Sequence, residues 1–312
     1  MSLGALTVSR WFEQASSCLR RGDAQGAIDA LKRLLGVEPE HGQAHALLAL
    51  ALVQAKRIHA ALHEAKLAVA IEPEVAFCHY ALGRTLIVHG QLKAARAEFE
   101  LARTFDPEDA DNELGLALVA EFAGKPEEQL QHLERALTLE PDRATVLSHL
   151  AEAWFRRGDD ERTERYARAA LEQEPEHLEA LVVMGHLLLR RGQTEEAREH
   201  AFWALSNDAT SASALRLLVA VKTRDNPLLG LWWRINTFLL RGSKNRTVVL
   251  LIGGYVFQRV ASLYAKQHGF RLGSEVIDYA WLALCVYTWV GPSYFARQLQ
   301  RELTQVQLNK DY

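Results

Sequence analysis

The chain has 312 residues, 49% hydrophobic and 24% charged, a balance that fits a folded protein and excludes a largely disordered one. Its net charge of -3 conceals a division, because residues 1–225 carry 26 Lys/Arg against 35 Asp/Glu while residues 226–312 carry 10 against 4. An acidic first part repels phosphate backbones, so no nucleic-acid partner is expected there, whereas a basic, apolar tail suits an anionic membrane surface.

Met1 to Trp11 shows no long apolar run behind a basic stretch, so no signal peptide is expected and the first part is placed in the cytoplasm. Cys18, Cys78 and Cys285 lie far apart with no zinc spacing, which fits a reducing compartment. From there the chain repeats itself. Pro39, Pro73, Pro107, Pro141 and Pro175 are 34 residues apart, each preceded by Glu or Asp. With proline as position 32, the repeats are 8–41, 42–75, 76–109, 110–143, 144–177 and 178–211, and Ala209 stands where the sixth proline would be.

Three other positions align in this register. The eighth is always small: Ala15, Ala49, Gly83, Ala117, Ala151 and Gly185. The fifteenth is Gly22, Gly90, Gly124, Gly158 and Gly192, with Lys56 the exception, and predicts a left-handed residue closing the first helix of each hairpin. The twenty-seventh is Leu34 and then Ala68, Ala102, Ala136, Ala170 and Ala204, a packing point for the second helix. At position 20, Gln129 and Thr163 replace alanine, which predicts looser packing in the fourth and fifth repeats. Residues 212–225 read as one more helix covering the sixth repeat.

These residues resemble the tetratricopeptide repeat family over about two-thirds of the chain. The resemblance implies an all-α fold, a right-handed superhelical solenoid of helix-turn-helix hairpins over 8–225. It also implies that the first helices line a concave groove for an extended peptide or partner helix. Carried onto this sequence, the groove residues are Phe77, Tyr80, Arg84, Leu118, Phe122, Glu152, Phe155, Arg156, His186 and Arg190, with Leu114, Ser148 and Val182 among the neighbouring positions. The branch of the family that clamps a C-terminal carboxylate uses asparagine at position 6. Here that position reads Glu13, Leu47, Ala81, Gly115, His149 and Val183, so no such clamp is expected.

Beyond Asn226-Pro227 the composition changes, and 14 of the 26 aromatic residues fall in the last 87 positions. Residues 226–246 read as an interfacial linker, and Thr247 to Tyr264 and Val276 to Ala296 as two apolar stretches near the ~20 residues that span hydrocarbon. The expectation is an apolar C-terminal helical hairpin over 247–296 that contacts membrane lipid through residues 228–296, followed by a tail, 297–312. Trp232, Trp233, Tyr264, Tyr279, Trp289 and Tyr294 mark its edges, and basic residues outside both ends place repeats and C-terminus on the cytoplasmic side of a bacterial inner membrane. Arg259 and Asp278 fall inside the proposed spans and are expected to pair there.

No phosphate-binding glycine loop, nucleophile elbow or metalloprotease motif occurs, so no catalytic residue and no cofactor are nominated. His41/His45 and His59/His63 have the i, i+4 spacing of a metal pair, but nothing completes a ligand set and they read as solvated histidines. The functional expectation is a membrane-anchored adaptor that binds protein or peptide partners in the groove. The alternative is a soluble, co-chaperone-like adaptor whose apolar tail caps the solenoid.

Overall fold

A computed structural model describes residues 3–209, 211–225, 255, 257–264, 267, 270, 275, 276, 278, 279 and 282. Thirteen α-helices are assigned between residues 3 and 225. The chain divides into two compact units, Met1–Glu174 and Pro175–Tyr312.

The first unit contains α1 (Leu3–Arg20), α2 (Ala24–Leu35), α3 (Gly42–Gln54), α4 (Ile58–Ile71), α5 (Ala76–Val88), α6 (Leu92–Phe105), α7 (Ala110–Phe122), α8 (Pro126–Leu139), α9 (Ala144–Arg157) and α10 (Asp160–Gln173). Odd and even helices pair as antiparallel hairpins, and α2, α4, α6 and α8 each also touch the first helix of the following hairpin. The second unit contains α11 (Leu178–Arg191), α12 (Thr194–Asn207) and α13 (Ala212–Asp225), with α13 packed on both of the others.

Why the helices stop where they do is visible in the backbone. Gly22, Gly90, Gly124, Gly158 and Gly192 all have positive φ, and Lys56, in the same register, is the one non-glycine residue described with φ above zero, at 60°. A left-handed residue at this point lets the chain turn back within a few residues while the last carbonyls are still bonded. Several of the starts are capped by side chains. Asp23 accepts from Gly26 N at 2.9 Å, Asp159 from Arg162 N at 2.9 Å, and the ring nitrogens of His41 and His177 accept from Ala44 N and Ala180 N.

Close packing follows from the small residues. Ala68, Ala102, Ala136, Ala170 and Ala204 are fully buried, as are Ala15, Ala49 and Ala151. The fully buried Phe99 ring of α6 lies against Gly83 of α5 and Gly115 of α7. A Cβ on Gly83 would approach that ring to 2.9 Å, and one on Gly115 would run into it. In the second unit Leu217 of α13 occupies the same kind of space over Gly185 of α11. The polar residues of position 20 are enclosed and bonded: Gln129 donates to Glu121 at 3.0 Å and Thr163 to the Asp159 carbonyl at 2.6 Å.

Among the described residues no helix is long and apolar enough to cross a membrane. Residues 226–246 and 297–312, the sequence's linker and tail, and much of the proposed hairpin at 247–296 lie outside the described residues.

Gly115→Ala tests the packing of Phe99. It should lower stability by about 1–3 kcal/mol through overpacking, and the loss should shrink in combination with Phe99→Leu, both read from urea unfolding. An unchanged unfolding midpoint in Gly115→Ala would contradict the tight fit.

Candidate functional site

The candidate groove residues of the first unit lie on α5, α7 and α9. At 3.6 residues per turn, Phe77, Tyr80, Arg84 and Val88 share one face of α5, and the period of 34 carries that face onto α7 and α9. Phe77 and Tyr80 stack with ring centroids 6.3 Å apart, and Tyr80 meets the core ring of Phe99 edge-on at 5.9 Å. Arg84 lies over the Tyr80 ring and donates to its hydroxyl at 3.1 Å. Burial raises the Tyr80 phenol pKa, against the opposing pull of Arg84, so the hydroxyl that accepts from Arg84 stays a neutral phenol.

On α7, Phe122 is 62% exposed, and Val88 at the end of α5 is 46% exposed. Leu118 is half-buried beside them. Arg156 of α9 pairs with Glu121 of α7 at 3.0 Å and approaches Glu152 at 4.0 Å. The charges at this end of the face are therefore tied to one another, while aromatic surface beside them stays open. Phe155 and Glu152 are half-buried on α9. Leu114, Ser148 and Val182, which the register also points to, are buried and offer no surface.

In the second unit, His186 is half-buried on α11 and Arg190 exposed. Burial, with Arg216 nearby, pushes the His186 pKa below the usual histidine value, which favours a neutral ring.

A second set of residues, unforeseen from sequence, ties the hairpins internally. His45 of α3 contacts Glu64 of α4 at 2.6 Å, and its other nitrogen contacts the Pro39 carbonyl at 2.9 Å. One repeat later His79 does the same with Glu98 at 2.7 Å and the Pro73 carbonyl at 2.8 Å. In the next repeat the partners exchange places, with Glu113 of α7 bonded to His132 of α8 at 2.6 Å and to Arg103 at 3.3 Å. There Asn112 takes over the turn, donating to the Asp106 carbonyl at 2.9 Å. All three pairs are 19 residues apart, a spacing that would have exposed them. Each first-helix partner is buried, so it needs its bond, and each of the two histidines also joins its hairpin to the preceding turn.

The histidines singled out for metal have other occupations. His41 caps α3, His45 is held by Glu64, and His59 meets His89 edge-on with centroids 5.7 Å apart. Among the described residues no group of three or more potential metal ligands converges.

In the tail, residues 257–264 are helical. Arg259 is exposed, and among the described residues no ion pair joins it to Asp278. Asp278 accepts hydrogen bonds from Gln258 and, at 3.2 Å, from Ser262.

A family model described as "Tetratricopeptide repeat" matches residues 12–76 and 80–144. Residues 12–76 and 80–144 thus match tetratricopeptide repeats, and the helices assigned from residue 3 to 225 share the helix-turn-helix pattern of that repeat. A thermophilic tetratricopeptide-repeat protein of Thermus thermophilus is similar at 23% identity and TM-score 0.55, over 58% of this chain and 99% of that one. Pseudomonas aeruginosa pilF is similar at 18% identity and TM-score 0.51, over 69% and 98%. PilW, described as a widely conserved type IV pilus biogenesis factor, is similar at 18% identity and TM-score 0.54, over 68% and 98%. At these identities the likeness is one of fold. No curated protein matches the chain.

The paired Glu113 gives a pH signature. Burial alone would raise its pKa, but His132 and Arg103 outweigh that and hold it below the usual carboxylate value. Its contribution is therefore present above the unfolded value of about 4.3 and lost as pH falls through the lower folded one. Glu113→Gln should be less stable than the native chain near neutral pH, with the difference shrinking toward about pH 3, as read by denaturant unfolding across pH. A gap that stays constant or widens in acid would contradict the role assigned to the carboxylate.

Proposed function

We propose that this protein is an adaptor that holds an amphipathic segment of a protein partner against the first helices of its repeats. The observation that carries this reading is the face around Tyr80 and Phe122. Its Phe77 and Tyr80 rings are set by packing on the core, the Phe122 ring stands 62% exposed, and Arg156 at its edge is already paired with Glu121. Rigid aromatic surface of this kind supplies binding energy with little loss of side-chain freedom, and Arg84 and Glu152 add directional contacts for the partner's polar side. The concave groove running over Phe77, Tyr80, Arg84, Leu118, Phe122, Glu152, Phe155 and Arg156 is the proposed site, with His186 and Arg190 continuing the same register in the second unit.

The chain further acts at a membrane, held through the apolar tail by a hairpin over 247–296, with residues 226–246 as an interfacial linker. The repeats and the C-terminus lie on the cytoplasmic side of a bacterial inner membrane. This part of the reading is supported by the length of the two apolar stretches, by their aromatic edges and by Arg234, Arg241, Lys244, Arg246, Arg297 and Arg301 flanking them. Partners collected in the groove are thereby concentrated at one surface, which raises their encounter with one another without any added contact.

Crosslinking and affinity capture with the intact protein test the groove. Replacing Phe77, Tyr80 and Phe122 together with alanine should remove at least one captured partner, and retention of every partner would rule the site out. Carbonate extraction tests the anchor independently. The full-length chain should stay with the membrane pellet, and release into the soluble fraction would reject it.

A further inference from the structure

The tail helix at 257–264 has its polarity reversed. Gln258 and Ser262, one turn apart, are buried, and Ala261 between them is half-buried. Phe257, Val260, Leu263 and Tyr264 on the remaining surface are all more than half exposed, Phe257 at 76%. The second leg agrees: Asp278 is half-buried, whereas Val276, Tyr279 and Leu282 are exposed, Tyr279 at 69%. Among the described residues, polar ones meet across the two legs, through the hydrogen bonds from Gln258 and Ser262 to Asp278.

In water an amphipathic helix turns its apolar stripe to the core and its polar face outward. Here the contact stripe is polar and small, and the apolar groups face away from it. With about 100° per residue, the outward residues from Leu263 round to Phe257 cover about 120° of the helix surface. Large apolar residues also point outward from the opposite leg. A surface of this kind on both legs calls for an apolar medium around them, and hydrocarbon supplies it. In such a medium a hydrogen bond between buried polar side chains has no competing water, so polar residues face the interior and join neighbouring helices.

We propose that Gln258, Ser262 and Asp278 form an inward polar clamp that holds the two legs of the tail together, with Phe257, Val260, Leu263, Val276, Tyr279 and Leu282 facing lipid acyl chains. The proposal rests on the membrane-anchor reading above and adds the orientation of the legs and the partner of Asp278. Arg259 is left to the lipid side of the clamp. It stands five residues before Tyr264, about 7.5 Å along the helix, within reach of the headgroup region for an extended arginine.

The test uses the full-length protein with Cys18, Cys78 and Cys285 changed to alanine, reconstituted in phosphatidylcholine and phosphatidylglycerol vesicles. Single nitroxide labels are placed through Phe257→Cys, Val260→Cys and Leu263→Cys on the outward side and Ala261→Cys on the inward side. The outward labels should collide several-fold more with dissolved oxygen than with an aqueous nickel chelate, and the inward label should be reached poorly by both. Adding Asp278→Ala should open the inward position, raising its collisions several-fold.

Outward labels that favour the nickel chelate, on protein that resists carbonate extraction, would overturn the lipid-facing orientation while leaving the anchor intact. Outward labels shielded from both reagents would mean that a second copy or another protein covers them, which also overturns it. An inward position unchanged by Asp278→Ala would overturn the clamp. Release of the protein by carbonate would instead mark failure of the anchor reading beneath.

Discussion

A two-helix hairpin has more apolar surface than its helices can hide against each other, and most of this structure is a response to that shortage. Each hairpin in the first unit lends its second helix to the next hairpin's first helix, and the junction closes only where side chains are small enough to let helix axes approach. Phe99 shows the constraint at its sharpest. One large ring is fully buried because Gly83 on one side and Gly115 on the other have no Cβ to obstruct it. Stability and the orientation of the neighbouring first helices are fixed by the same contact, so the face carrying Tyr80 inherits its rigidity from the core beneath.

The His–Glu pairs complement this packing rather than replacing it. Apolar contact through alanine and glycine is permissive about rotation and sliding, because small flat surfaces can meet in several ways. A buried bond such as that from His79 to Glu98, made while the other nitrogen holds the Pro73 carbonyl, is satisfied in one arrangement only. Exchange of the partners at Glu113 and His132 indicates that the requirement is for a complementary pair bridging the hairpin, not for either residue on a given helix. The exchange also draws in Arg103, since a buried carboxylate asks for more donors than one imidazole can offer.

The same rule, applied to the tail, gives an opposite surface. In the repeats, polar groups are enclosed in pairs within an apolar core and the exterior is charged. Among the described tail residues, Gln258 and Ser262 bond to Asp278, and the large exposed side chains are mostly aromatic and aliphatic, with Arg259 and Glu275 also exposed. The two regions present different surfaces, in keeping with the change in charge and aromatic content near residue 226.

Sequence by itself determined the period, the helical hairpins and their turns, because a local cause sits at each point. A proline ends a helix, a glycine admits positive φ, and an alanine every 34 residues marks where helices must touch. Even Lys56 follows, since its neighbours fix the turn and it adopts the left-handed conformation the register demands. Tertiary structure decided which polar residues meet. Nothing local in the sequence shows that Glu64 and Glu98 stand opposite His45 and His79, or that Gln258 and Ser262 reach Asp278. Helical periodicity tells which face a residue occupies. Partners separated by 16 to 20 residues depend on how two helices rotate against each other, and that is set by the packing of the whole hairpin.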